Sequence, residues 1–237
     1  MSASLPPLYD RPVRIPLSTG KPALGLGGKL GSLIVKALPA LGVIVLCLGG
    51  ALAFSLGLGP KALAYTQEGG IIETLTVVLY GVVLLAAIGA AMGGNKAAGL
   101  TGLLALLMGL REMDAHKAFT TYGVFKTRLY VSPDVSLAEK LIAGFVVVAL
   151  VVLVVMAIRA SWRTLARGES RAGITLLAVG AFGLFLKQVD GIPRQFRKAG
   201  MTLDADVLAI SKAIEETGEL GLPVLLGLAL FQLIRRD

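Results

Sequence analysis

The chain has 237 residues, 55% of them hydrophobic, and its mean hydropathy of +0.79 is well above that of a typical soluble domain. Its single cysteine, Cys47, excludes an intrachain disulfide and a cysteine-based zinc cluster. The net charge of +8 does not indicate nucleic acid as a partner. Basic loops in a membrane protein set its topology and contact anionic lipid headgroups.

The apolar runs predict an all-α fold, a polytopic transmembrane bundle of about six spans. Residues 1–30 are predicted to form a flexible basic tail, and residues 31–237 a single transmembrane domain. The predicted spans are residues 34–58, 70–93, 97–116, 138–159, 172–191 and 208–234. These spans leave no room for a soluble catalytic domain, so any chemistry belongs to the bundle.

The connections between spans differ in length and composition. Residues 94–96 are so few that spans two and three must form an antiparallel hairpin. Residues 117–139 are longer and carry aromatic side chains that suit the headgroup layer, and residues 191–206 are predicted to lie along the interface as an amphipathic piece. Four glycines permit close helix contacts within or between chains, so a homo-oligomer is one expectation: Gly180, Gly183, Gly218 and Gly221.

The two membrane faces differ in charge. With six spans, both termini lie on one membrane face, which then carries 12 Lys/Arg and 3 acidic residues. The opposite face carries 11 Lys/Arg and 12 acidic residues. The near-equal Lys/Arg counts decide little, but one loop with four arginines, 159, 163, 167 and 171, and the pair Arg235 and Arg236 favour cytoplasmic termini. The predicted location is an inner (plasma) membrane, crossed several times.

Three apolar runs are too short to cross a bilayer. Residues 97–110, 172–186 and 220–234 hold 14, 15 and 15 residues, whereas a span needs about 20. Each run continues into charged residues at the same membrane side. Because charge inside a membrane is costly, these flanks are the candidate functional site.

Helical spacing arranges the flanks into stripes on spans two, three, five and six. Span two carries Glu73, Thr76 and Tyr80. Span three ends with Arg111, Glu112, Asp114 and His116, span five with Lys187, Asp190 and Arg194, and span six carries Lys212, Glu215, Glu216 and Glu219. Spans one and four carry no such stripe.

The first interpretation is a divalent-metal site, since carboxylates with one imidazole suit Mg, Mn, Fe or Zn. Its ligand candidates are Glu73, Glu112, His116, Glu215 and Glu219. The candidate catalytic residues are Glu112, Asp114, His116, Asp190 and Glu216. Metal-activated water is favoured over a nucleophile because His116 has no serine or cysteine partner visible in the sequence.

Three other interpretations stay open. The layer is a binding site for a lipid headgroup or small polar ligand, with Lys187, Arg194, Tyr80 and Arg111 as contacts. Alternatively, its carboxylates carry protons or cations in a transporter or channel subunit. In the third interpretation, the protein is a non-catalytic membrane partner of another protein, and its ion pairs only fix how its helices pack.

Three short motifs carry a family resemblance: the stretch from Leu110 to Lys117, the group Glu73-Thr-Leu-Thr76, and Glu215-Glu216-x-x-Glu219. Together they resemble a group of uncharacterised bacterial polytopic inner-membrane proteins, which implies a location but no activity. Membrane hydrolases of the alkaline ceramidase and adiponectin-receptor type use three zinc-binding histidines. This chain has one histidine, so that assignment fails.

Overall fold

The computed structural model describes residues 26–66, 69–118, 120–166 and 171–235, and within these ranges it is helical with no β-strand. The all-α prediction is confirmed. Residues 1–25 of the predicted tail lie outside the described ranges, while residues 26–30 already belong to the first helix. The helices are α1 (Leu26–Leu58), α2 (Ala62–Tyr65), α3 (Ile71–Met92), α4 (Lys96–Glu112), α5 (Ala115–Ala118), α6 (Thr127–Val131), α7 (Leu137–Ala166), α8 (Arg171–Lys198) and α9 (Ala205–Arg235).

Five of these helices are long and apolar enough to cross a membrane: α1, α3, α7, α8 and α9. The protein is therefore a multi-pass integral membrane protein. The remaining predicted span, the third (residues 97–116), corresponds to α4, which has only 17 residues. At 1.5 Å per residue α4 measures about 25 Å, short of a hydrocarbon core of about 30 Å. It ends before Asp114, whose φ of 50° is incompatible with a continuing helix.

Helix α9 is the centre of the bundle. It packs against α1, α3, α4 and α8, whereas α7 lies at the edge and packs mainly against α8. Leu222, Leu225 and Leu226 of α9 are fully buried in the main apolar core. Its inner polar residue Gln232 is also buried and accepts a hydrogen bond from Thr175 of α8 at 2.9 Å. Most interhelical packing thus converges on one helix.

Glycines let the central helices approach closely. A Cβ on Gly218 would lie 2.3 Å from Leu186, and one on Gly221 would lie 2.7 Å from the Cys47 sulfur. The predicted close contacts are therefore confirmed within the chain at these two positions. At Gly183 the nearest atom would be 3.9 Å away, and at Gly180 none lies within 4 Å.

Helix α8 continues through Pro193 to Lys198, so the first part of the predicted interfacial piece (residues 191–206) is a continuation of α8 and not a separate element. Proline has no N–H, which deprives the Val189 carbonyl of its helical donor. The Ser211 hydroxyl of α9 lies 3.4 Å from that carbonyl and donates to it. A neighbouring helix thus satisfies the freed group, which is how proline is tolerated in membrane helices.

Candidate functional site

The charged flanks of α4, α8 and α9 lie at one depth. Their first charged residues, Arg111, Lys187 and Glu219, are separated by 15 or 16 residues from the basic residues that mark the opposite ends, Lys96, Arg171 and Arg235. That spacing corresponds to about 24 Å along a helix. In a core of about 30 Å, these charges enter the outermost hydrocarbon.

At the ends opposite the charges, two interhelical hydrogen bonds align α4, α8 and α9 with one another. Asn95 caps α4 by accepting from the Ala98 N–H, and its side-chain amide donates to the Leu233 carbonyl of α9 at 3.1 Å. The bond between Thr175 and Gln232 joins α8 to α9 at the same end. The common depth of the charges at the other end follows from this alignment.

We call the nine charged residues that begin at that depth and continue toward the same end of the helices the charge layer: Arg111, Glu112, Lys187, Asp190, Arg194, Lys212, Glu215, Glu216 and Glu219. Its first connection joins α4 to α9. Arg111 places Nη1 at 3.1 Å from Glu112 and Nη2 at 2.7 Å from Glu219. One guanidinium therefore serves two carboxylates from different helices.

The second connection lies within α9. The Lys212 ammonium lies 3.2 Å from Glu215 and 2.7 Å from Glu216, at spacings of three and four residues. These are the spacings at which helical side chains meet. The charged stripe predicted on α9 therefore contains ion pairs between residues of the same helix.

The third connection lies within α8. Asp190 pairs with Lys187 one turn before it, and its other oxygen lies 4.0 Å from the Arg194 guanidinium. Asp190 also interacts electrostatically with Lys212 across the α8–α9 contact. One acid thus holds two cations on one face of α8.

Acids and cations differ in burial. The side chains of Glu112, Glu216 and Glu219 are 7, 9 and 16% exposed. Those of the cations Arg111, Lys187 and Arg194 are 46, 64 and 65% exposed. Three of the layer's four cations are therefore more exposed than any of its carboxylates by a wide margin, while Lys212 is 29% and Asp190 25% exposed. We call the three exposed cations the cationic rim.

Three other candidate residues make their hydrogen bonds or ion pairs outside the charge layer, although Tyr80 interacts electrostatically with Arg111, Glu112 and Glu219. Tyr80 is buried, and its hydroxyl donates to the Met108 sulfur at 3.8 Å. Glu73 accepts from the Gly69 N–H at 2.6 Å at the start of α3, and Asp114 pairs with Lys117 at 2.5 Å. The side chain of His116 lies outside the described part of the chain, so its predicted role stays a prediction.

The metal interpretation meets one structural obstacle. Among the described residues, no group of three or more His, Cys, Asp or Glu is arranged to hold a metal ion. The Arg111 guanidinium already supplies positive charge to both Glu112 and Glu219. A metal bound by these two acids would have to compete with Arg111.

The buried polar residues Gln232 and Ser211 were missed in the sequence. Each makes a hydrogen bond between α9 and α8: Gln232 accepts from Thr175, and Ser211 donates to the Val189 carbonyl. A polar amide such as Gln232 inside an apolar run is a recognised sign of helix association in membranes, so the signal was present. Ser211 had no such signal, because only the fold places it beside the carbonyl that Pro193 frees.

No protein-family model matches the chain, and neither a curated protein nor a solved structure is significantly similar to it.

Proposed function

We propose that this membrane protein binds an anionic lipid headgroup, or a small anion of the same chemistry, at the cationic rim. The observation that carries the proposal is a difference in exposure. The side chains of Arg111, Lys187 and Arg194 are 46 to 65% exposed, whereas the carboxylates paired with them are at most 25% exposed. At the outer edge of the hydrocarbon, the abundant anion is the phosphate of a phospholipid. Arginine and lysine are the side chains that bind it.

The α8 part of the rim is the strongest candidate contact. Lys187 and Arg194 are two turns apart on one face, and the single charge of Asp190 neutralises only one of them. A net positive charge is therefore left facing outward. A phosphate oxygen between the two cations would receive hydrogen bonds from an ammonium and a guanidinium.

Binding studies with two kinds of ligand test the proposal. Protein in zwitterionic phosphatidylcholine nanodiscs is titrated with phosphatidylglycerol or with inorganic phosphate, and binding is measured by native mass spectrometry. Lys187→Gln and Arg194→Gln should each weaken phosphatidylglycerol binding roughly five-fold, since one basic residue near a membrane surface contributes about 1 kcal/mol.

The matched control is Lys61→Gln, which removes an exposed cation at the same membrane side but outside the charge layer. It should leave lipid binding unchanged. Loss of phosphate binding without loss of lipid binding would assign the rim to a free anion. Equal effects of all three substitutions would refute a specific site.

A metal-dependent hydrolase at the same layer is the alternative proposal. Glu112, Glu216 and Glu219 interact electrostatically and are the acids that such a site would use. Elemental analysis of purified wild type and Glu112→Gln decides it. A stoichiometric divalent metal lost in the variant supports the hydrolase, and its absence from reconstituted wild type removes it.

The proton- or cation-transport alternative has less support from the packing of α9. The buried residues of that helix between Glu219 and Gln232 are all apolar: Gly221, Leu222, Pro223, Leu225, Leu226, Ala229 and Leu230. A path along α9 would cross about three helical turns without a polar side chain from this helix. No described contact supplies one.

We also propose that both termini face the cytoplasm of a bacterium, which puts the charge layer at the outer leaflet. Basic residues at the opposite ends of four helices support this orientation: Lys96, Arg163, Arg171 and Arg235. Reporter fusions at the C-terminus should be active only with a cytoplasmic reporter. Activity of a periplasmic reporter there would reverse the orientation.

A further inference from the structure

The segment between α4 and α7 has a small core of its own. Residues 120–136, here called the outer connector, contribute Val124, Leu129 and Val135, which are at most 4% exposed. These side chains form one cluster with Ala143 of α7, and Val147 packs against it. The outer connector is therefore fixed to the side of a membrane-spanning helix.

Its depth follows from the residues it touches on α7. Ala143 and Val147 lie 16 and 12 residues from Arg159, the first cation at the opposite end of that span. These separations correspond to about 24 and 18 Å along the helix. The core of the outer connector thus lies at the depth of the charge layer or deeper.

Side chains of the protein form hydrogen bonds with backbone groups of the outer connector, which matters at a depth where water is scarce. Gly123 donates to the Thr120 hydroxyl at 3.0 Å, and the Tyr130 hydroxyl donates to the Val124 carbonyl at 2.7 Å. Glu139 of α7 accepts from the Thr121 N–H at 2.5 Å. Irregular backbone is tolerated at membrane depth only where protein buries it or where it lines a water-filled cavity, and these bonds supply protein partners for part of the connector.

The outer surface of the connector is apolar beside basic residues. Phe125 is 63% and Val131 71% exposed, the values of side chains that face the surroundings. Lys126 and Arg128 stand next to them, and the Arg128 guanidinium lies 4.5 Å from the centre of the Tyr122 ring. Large apolar side chains flanked by cations fit the boundary between acyl chains and anionic headgroups.

We propose that the outer connector is embedded in the lipid leaflet, with Phe125 and Val131 in contact with acyl chains and Lys126 and Arg128 at the headgroups. The partner of this surface is the lipid bilayer itself. This placement explains how a 17-residue α4 is accommodated, because the chain completes the crossing with the connector instead of with more helix.

Tryptophan fluorescence tests the proposal, since Trp162 is the only tryptophan in the chain. In a Trp162→Phe background reconstituted in phosphatidylcholine vesicles, Phe125→Trp and Val131→Trp are each measured with brominated lipids and with aqueous acrylamide. Both should emit at short wavelength, and brominated lipid should reduce their emission at least two-fold while acrylamide quenches weakly.

The control is Met201→Trp, in the connection between α8 and α9 beyond the long charged ends of those helices. It should be quenched by acrylamide and little by brominated lipid. If the two connector tryptophans behave like this control, the segment stands in water and the proposal is wrong. Two connector positions are tested so that, if one variant misfolds, the quenching of the other still decides between lipid and water.

Discussion

Replacing Gly102 by leucine should destabilise the protein by about 3 kcal/mol, because α3 and α4 touch at this residue. A Cβ on Gly102 would lie 2.8 Å from the Cβ of Ala87, which has no rotamer that could move it away. The two helices would have to separate, and α4 carries Arg111 into the charge layer. Reversible unfolding in mixed micelles, followed by circular dichroism, measures the change.

The matched control is Gly180→Leu, since Gly180 is an exposed helical glycine where an added Cβ would meet no atom within 4 Å. Its stability should stay within about 1 kcal/mol of wild type, because leucine has a better helix propensity than glycine. Equal destabilisation by both substitutions would mean that α3 and α4 are not in close contact.

Removing Arg111 should produce the second large effect. Arg111→Gln leaves Glu112 and Glu219 without the guanidinium that serves both. Breaking a buried pair costs about 3–5 kcal/mol and an exposed one at most about 1 kcal/mol. Because the two acids are only 7 and 16% exposed and the arginine is half-exposed, we expect about 2–3 kcal/mol, between those limits.

A second substitution separates charge from packing. Glu219→Gln added to Arg111→Gln should recover part of the lost stability, since it removes one unpaired carboxylate. The control is Asp114→Asn, which breaks the exposed pair with Lys117 and keeps a residue type that tolerates the positive φ at this position. That variant should lose less than about 1 kcal/mol, and a loss equal to that of Arg111→Gln would contradict a buried layer.

Most of the fold could be predicted because long apolar runs determine membrane helices directly. The predicted second span, residues 70–93, differs from α3 by one residue at each end. The end of α4 was predicted at residue 116 but lies at Glu112, since Asp114 turns the chain with a positive φ that aspartate tolerates without requiring it. Local sequence gives no signal for such a turn.

The charge layer could be predicted only in part. The predicted charged stripes on α8 and α9 do contain ion pairs, because the paired residues are three or four positions apart in the helix. On α3 the same spacing predicted less: Thr76 is buried and donates to the Ile72 carbonyl of its own helix, while the buried Tyr80 interacts electrostatically with Arg111 and Glu112. The pair of Arg111 and Glu219 joins residues 108 positions apart, which only the packing of α4 on α9 brings together.

Cryo-electron microscopy in nanodiscs containing phosphatidylglycerol would show where the charge layer lies in the bilayer and whether it holds an anionic headgroup, as we propose. We expect the pair of Arg111 and Glu219 between the two phosphate planes, and lipid phosphate density in contact with Lys187 and Arg194. If the charge layer instead lies in water beyond the phosphate plane, with no lipid density at these two cations, both the depth and the headgroup site are wrong.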